Sequence, residues 1–70
     1  MPINRRLNTD ADFQEVMDLR IPVRIFEADQ LVGSGGIVIR FDDQTIVVQR
    51  SVSEVDYHSR DNCEFFALKD

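Results

Sequence analysis

The stretch Tyr57-His58-Ser59-Arg60-Asp61-Asn62-Cys63 holds the only tyrosine, the only histidine and the only cysteine of the chain. A thiol five residues from an imidazole suggests a Cys–His nucleophile pair. That chemistry needs a thiolate within hydrogen-bond reach of the base, in an electropositive and partly exposed setting. Asp56, Asp61 and Glu64 surround the pair with negative charge and would raise the thiol pKa. A buried strand cysteine beside an exposed strand histidine is the commoner arrangement, so the sequence points to no catalytic residue and to a non-enzymatic protein. Metal chemistry fares no better: Asp42 and Asp43 place two carboxylates in one turn without a third and fourth ligand at a recognisable spacing. One Cys and one His are too few for a tetrahedral zinc site. Gly33-Ser34-Gly35-Gly36 lacks the lysine and the following helix of a phosphate loop. No cofactor is expected.

The elements that must position these residues are short. Asn8 or Thr9 can cap a helix, acids crowd its first turn where the dipole favours them, and Phe13, Val16, Met17 and Leu19 fall near one face. This predicts a helix over 7–19, ended by Pro22, which pushes Ile21 toward extended geometry. Apolar runs broken by turn signals then predict five strands, at 21–27, 31–41, 45–52, 53–59 and 63–69. Gly33, Gly35 and Gly36 inside the second of these mark a sharp bend, as a small closed barrel requires. In 63–69, Cys63, Phe65 and Ala67 would line one face while Phe66 and Leu68 line the other, so both faces favour burial. The expected fold is mainly β, one domain over 1–70: a short helix followed by a strongly bent five-stranded small barrel over 21–69.

Seventy residues bury only about 60% of the surface of the unfolded chain. A single cysteine excludes an internal disulfide, which leaves self-association as the available reinforcement. No apolar run reaches the roughly 18 residues of a membrane span, and the first residues lack the apolar segment of a signal peptide. A cytoplasmic location with Cys63 reduced is expected, with no membrane partner. The net charge of −5 argues against a general phosphate-backbone binder. Arginine nevertheless dominates the cations, and arginine forks onto phosphates and stacks on bases.

The order of these segments resembles the Sm-like family, most closely its bacterial Hfq branch. "IPVRIF" (21–26) resembles that branch's first strand, and "LVGSGGIVIRFDDQTIVV" (31–48) its glycine-bent strand and Phe-Asp turn. "SVSEVDYHS" (51–59) resembles its Val-Ser and Tyr-Lys-His stretch, and "RDNC" (60–63) is similar to the Arg-Gly-Asn corner of archaeal and eukaryotic Sm proteins. The resemblance implies a homo-oligomeric ring of about five to seven copies, paired through strands 53–59 and 63–69. It further implies binding of single-stranded RNA, or single-stranded DNA, by base stacking and base-edge hydrogen bonds, in a role in RNA metabolism or regulation. Carried over by position, the RNA-binding residues would be Phe26, Asp42, Gln44, Tyr57, His58, Arg60 and Asn62. His58 and Ser59 stand where Hfq has Lys and His, and Gln44 stands near its base-stacking aromatic. The alternative is a protein–protein interaction module on the same small barrel without nucleic-acid binding: Asp10, Asp12, Glu15 and Asp18 give the helix an acidic surface suited to a basic protein partner.

Overall fold

The computed structural model describes residues 3–69, in the order β1 (Ile3–Leu7), α1 (Asp10–Leu19), β2 (Val23–Glu27), β3 (Gln30–Phe41), β4 (Thr45–Ser51), β5 (Glu54–Ser59) and β6 (Cys63–Lys69). The helix starts where its sequence supplies a capping box. The Thr9 hydroxyl accepts from the Asp12 N–H at 3.2 Å, and the Asp12 carboxylate accepts from the N–H groups of Thr9 and Asn8 at 3.1 and 2.9 Å. It ends at Arg20, whose left-handed backbone (φ 53°) turns the chain and whose N–H returns to the Met17 carbonyl. Its inner face buries Phe13 and Val16.

All strand pairs are antiparallel, in the sheet order β1-β6-β2-β3-β4-β5. β3 is the hinge of this arrangement: it pairs with β2 as far as Gly36 and with β4 from Ile37 onward. The bend falls on Gly35, at φ +88°, and on Gly36, where a Cβ would collide with Val48 Cγ1. Only glycine meets both demands. The bend folds the two halves of the sheet over one core containing Val23, Ile25, Val38, Ile46, Val48, Phe65 and Ala67, closed by Phe13 and Val16 of α1. Phe13 packs edge-on against Phe65, ring centroids 5.5 Å apart.

The mainly β class, the helix and the bent strand are as expected, with three corrections. The described residues form six strands, because Ile3–Leu7 pairs along β6 from Ile3↔Lys69 to Leu7↔Phe65. Leu7, expected to open the helix, is instead a buried strand residue. The sheet is open, with β1 and β5 as its edges, rather than a closed barrel. The two-faced reading of 63–69 matches the burial: Cys63, Phe65 and Ala67 are buried in the core, and Phe66 and Leu68 are half-buried on the other side.

Candidate interaction surface

Two turns bring most of the expected site residues together. The β3–β4 turn is built by Asp42, whose Oδ1 accepts from the N–H groups of Gln44 and Thr45 at 2.8 and 2.7 Å. These two bonds hold its carboxyl below the usual carboxylate range, helped by the nearby charges of Arg40 and Arg60. The turn after β5 closes on it, with the Arg60 N–H donating to the Gln44 carbonyl and Arg60 Nη1 to the Asp42 carbonyl, both at 2.8 Å. Tyr57 and His58 lie on β5 just before this turn. Asn62 follows in it, exposed, its N–H 3.4 Å from the Ser59 hydroxyl.

Arg60, expected to hold a base, is occupied inside the chain. Its side chain is only 15% exposed and its Nη2 meets Asp10 Oδ1 at 2.8 Å. The guanidinium carbon lies 4.8 Å from the centroid of the Phe13 ring. It therefore ties the turn to α1 rather than facing solvent. His58 is half-buried with its ring edge-on to Phe65. Phe26 stands apart from the turn cluster: it packs at 89° to Phe66, on the face of β2 and β6 opposite the core. Cys63 is buried, and burial followed by the Glu27 charge pushes its thiol up. That is the reverse of what a nucleophile needs. Among the described residues no three His, Cys, Asp or Glu side chains converge as metal ligands, and no helix is long and apolar enough to cross a membrane.

The other arginines are mostly matched by acids. Arg5 pairs with Glu15, Arg6 with Glu64 at 3.3 Å, and Arg50 with Asp56 and Glu54. Arg20, Arg24 and Arg40 have no acidic oxygen within 4.0 Å among the described residues.

One uncovered face is the outer side of β3, β4 and β5. The pairings Arg40↔Val47 and Val47↔Tyr57 place these three side chains in a row across it. Val47 is buried yet lies outside the core cluster, because Arg40 and Tyr57 flank it. A groove of about 200 Å³ runs here between Arg40, Asp42, Thr45 and Tyr57. Tyr57 is 73% exposed and Val55 is uncovered on the same strand, while exposed Ile39 and Val52 line a second groove with Arg20 and Ile37. Arg40 was not singled out by the sequence, because its importance comes from a bulge between Val38 and Arg40 that aligns it with Val47.

The edges decide which strands can meet a partner. β5 pairs with β4 alone, whereas β6 lies between β1 and β2. A neighbour's strand 53–59 can therefore reach 63–69 only in place of β1. The class of molecule so defined is a small mainly β domain with one helix and a bent, open six-stranded sheet. No family model, curated protein or solved structure matches the chain.

Proposed function

We propose that this chain is a non-catalytic interaction domain on an Sm-like small β fold, docking a protein surface through the outer face of β3, β4 and β5. The fold reading draws support from the glycine-bent β3 and from a strand order that leaves β5 free beyond β4. The observation that carries the function is the exposure of Tyr57 and Val55 on that face, with exposed Ile39 lining the neighbouring groove beside Ile37 and Gln49. Tyrosine, arginine and apolar side chains in a patch with few free charges have the composition of an interface centre. The cation expected to serve RNA, Arg60, is meanwhile committed to Asp10 and Phe13.

A second reading, binding of single-stranded RNA, is favoured by one feature: exposed Tyr57 lies in a groove with Arg40, which forms no ion pair within 4.0 Å among the described residues and has Asp42 as its acidic neighbour. A base stacking on Tyr57 would place a phosphate near Arg40. One experiment separates the two. Immobilised native chain and an Ile39→Asp, Tyr57→Asp variant are compared for retained proteins identified by mass spectrometry, alongside anisotropy titrations with oligo-U and oligo-A. Docking predicts a protein retained by the native chain and lost by the variant. Equal retention refutes the docking face. Oligonucleotide binding tighter than about 10 μM at low salt, lost in Arg40→Ala, replaces it with the RNA reading.

A further inference from the structure

We infer that the partner at the β5 edge is a second copy of this chain, joined as a two-fold dimer by antiparallel pairing of Glu54–Ser59 with itself, Tyr57 opposite the partner's Tyr57. This rests on the docking role of the β3–β5 side and specifies its occupant.

The first argument is which edge is open. β1 presents Arg5 and Arg6, but both are engaged within the chain, by Glu15 and Glu64. Between Glu54 and Ser59, β5 contains no lysine and no proline; its charges Glu54 and Asp56 are matched by Arg50, and the one register shift in its pairing adds Arg50 to β4 rather than a residue to β5. Its outer row of N–H and C=O groups is available for another strand.

The second argument is register. The Arg60 N–H bond to the Gln44 carbonyl continues the Thr45↔Ser59 register by one step. Hydrogen-bonded pairs alternate along an antiparallel ladder, so Ile46↔His58 and Val48↔Asp56 are the bonded pairs between β4 and β5. Val55 and Tyr57 then turn their backbone groups outward, and Ser59 follows at the strand end, where its N–H donates to the Cys63 thiol. A two-fold pairing must set these outward residues against one another, and few registers do so. Val55 opposite the partner's Val55 puts Glu54 against Asp56. Val55 opposite the partner's Tyr57 puts Asp56 against the partner's Asp56. Like charges directly opposite destabilise a sheet. Tyr57 opposite the partner's Tyr57 puts Asp56 against His58 on both sides of the axis and Val55 against Ser59. A further slip, Tyr57 opposite the partner's Ser59, sets His58 against itself and shortens the ladder.

The favoured register also covers the exposed surface. It extends the row Arg40, Val47, Tyr57 through the partner's Tyr57 into the same row reversed, so the two most exposed rings cover each other. Aromatic cross-strand pairs stabilise such ladders, and isologous two-fold dimers are the commonest closed assembly.

The test reads both mass and register. Sedimentation equilibrium of the native chain is expected to give twice its 8.1 kDa mass. For register, cysteines are placed singly at Tyr57, Val55 and Ser59 with Cys63 left in its buried position. Opposed residues of a bonded pair have Cα atoms about 5.5 Å apart, within disulfide reach. Tyr57→Cys alone is expected to oxidise to a covalent dimer roughly tenfold faster than Val55→Cys alone. Val55→Cys mixed with Ser59→Cys is expected to cross-link as a heterologous pair. Equal rates for Tyr57→Cys and Val55→Cys, with both variants folded by circular dichroism, overturn the register. A native chain that stays monomeric up to about 1 mM overturns the dimer. That failure leaves the docking face standing wherever the Ile39→Asp, Tyr57→Asp variant still loses a retained protein, so the two inferences fail separately.

Discussion

Arg60 Nη2 lies 2.8 Å from Asp10 Oδ1, which fastens the turn after β5 to the first turn of α1. The same guanidinium stacks on Phe13 and donates to the Asp42 carbonyl, so one side chain joins three segments distant in sequence. Asp10 is exposed and its ion pair is weakened by solvent. The stacking on buried Phe13, together with the carbonyl bond, carries the larger share.

Arg60→Ala is therefore expected to destabilise the fold by about 1–3 kcal/mol, from the lost cation–π contact and hydrogen bond. In a domain this small that corresponds to a fall in melting temperature of roughly 4–24 °C. Arg60→Lys keeps the charge without the fork and should fall between. Thermal denaturation by circular dichroism measures both, and a melting temperature unchanged in Arg60→Ala would remove the residue from its structural role.

Gly36 is the tightest point of the bend, and its predicted cost is steep. A Cβ there meets Val48, a buried core residue that cannot move aside cheaply. Gly36→Val is expected to prevent folding at 25 °C, seen as loss of the cooperative urea transition. Gly35→Ala faces open space and only the cost of a positive φ, about 1 kcal/mol, so it should fold with a lowered midpoint. Similar midpoints for the two variants would contradict the bend.

The bend was legible in the sequence because glycines inside an apolar run have few other uses. The helix was legible because Thr9, Asp10 and Asp12 form its start signal. β1 was not: Ile3–Leu7 carries two arginines in five residues and becomes a strand because β6 offers it an edge, a tertiary effect that local propensity does not register. The site suffered the same limit. Asp42, Gln44 and Arg60 do converge, yet sequence position alone could not say that Arg60 would turn inward onto Phe13 or that a bulge would align Arg40 with Tyr57.

The hairpin between β2 and β3 holds a correctable strain. Ala28 and Asp29 both have positive φ, 52° and 64°, the pattern of a two-residue turn that favours Asn-Gly. Replacing Ala28-Asp29 by Asn-Gly is expected to stabilise the chain by about 1 kcal/mol, a rise of roughly 4–8 °C in melting temperature. A fall instead would show that these side chains contribute contacts worth more than the strain they impose.

Acid should act through two capped carboxylates. Backbone N–H donors lower the pKa of Asp42, from Gln44 and Thr45, and of Asp12, from Asn8 and Thr9. A folded value below the unfolded one contributes stability that is present above the unfolded pKa, about 3.9, and lost as pH falls through the folded value. The melting temperature should therefore hold from about pH 7 to 5 and drop below about pH 4. Asp42→Asn is expected to melt lower at pH 7 and to show a shallower acid decline. An acid decline as steep as that of the native chain would assign the sensitivity to other carboxylates.

Cys63 offers the last check, on the chemistry its neighbourhood first suggests. Burial and, after it, the charge of Glu27 raise its pKa, and the thiolate is the reacting form. At pH 7 a disulfide-exchange reagent should label the native chain at least about tenfold more slowly than the chain unfolded in urea. The labelling rate should also follow the opening of the core, so Arg60→Ala and Asp42→Asn should each speed it in proportion to their loss of stability. Native labelling as fast as unfolded labelling would instead expose the thiol beside His58 and return the pair to consideration as a reactive site.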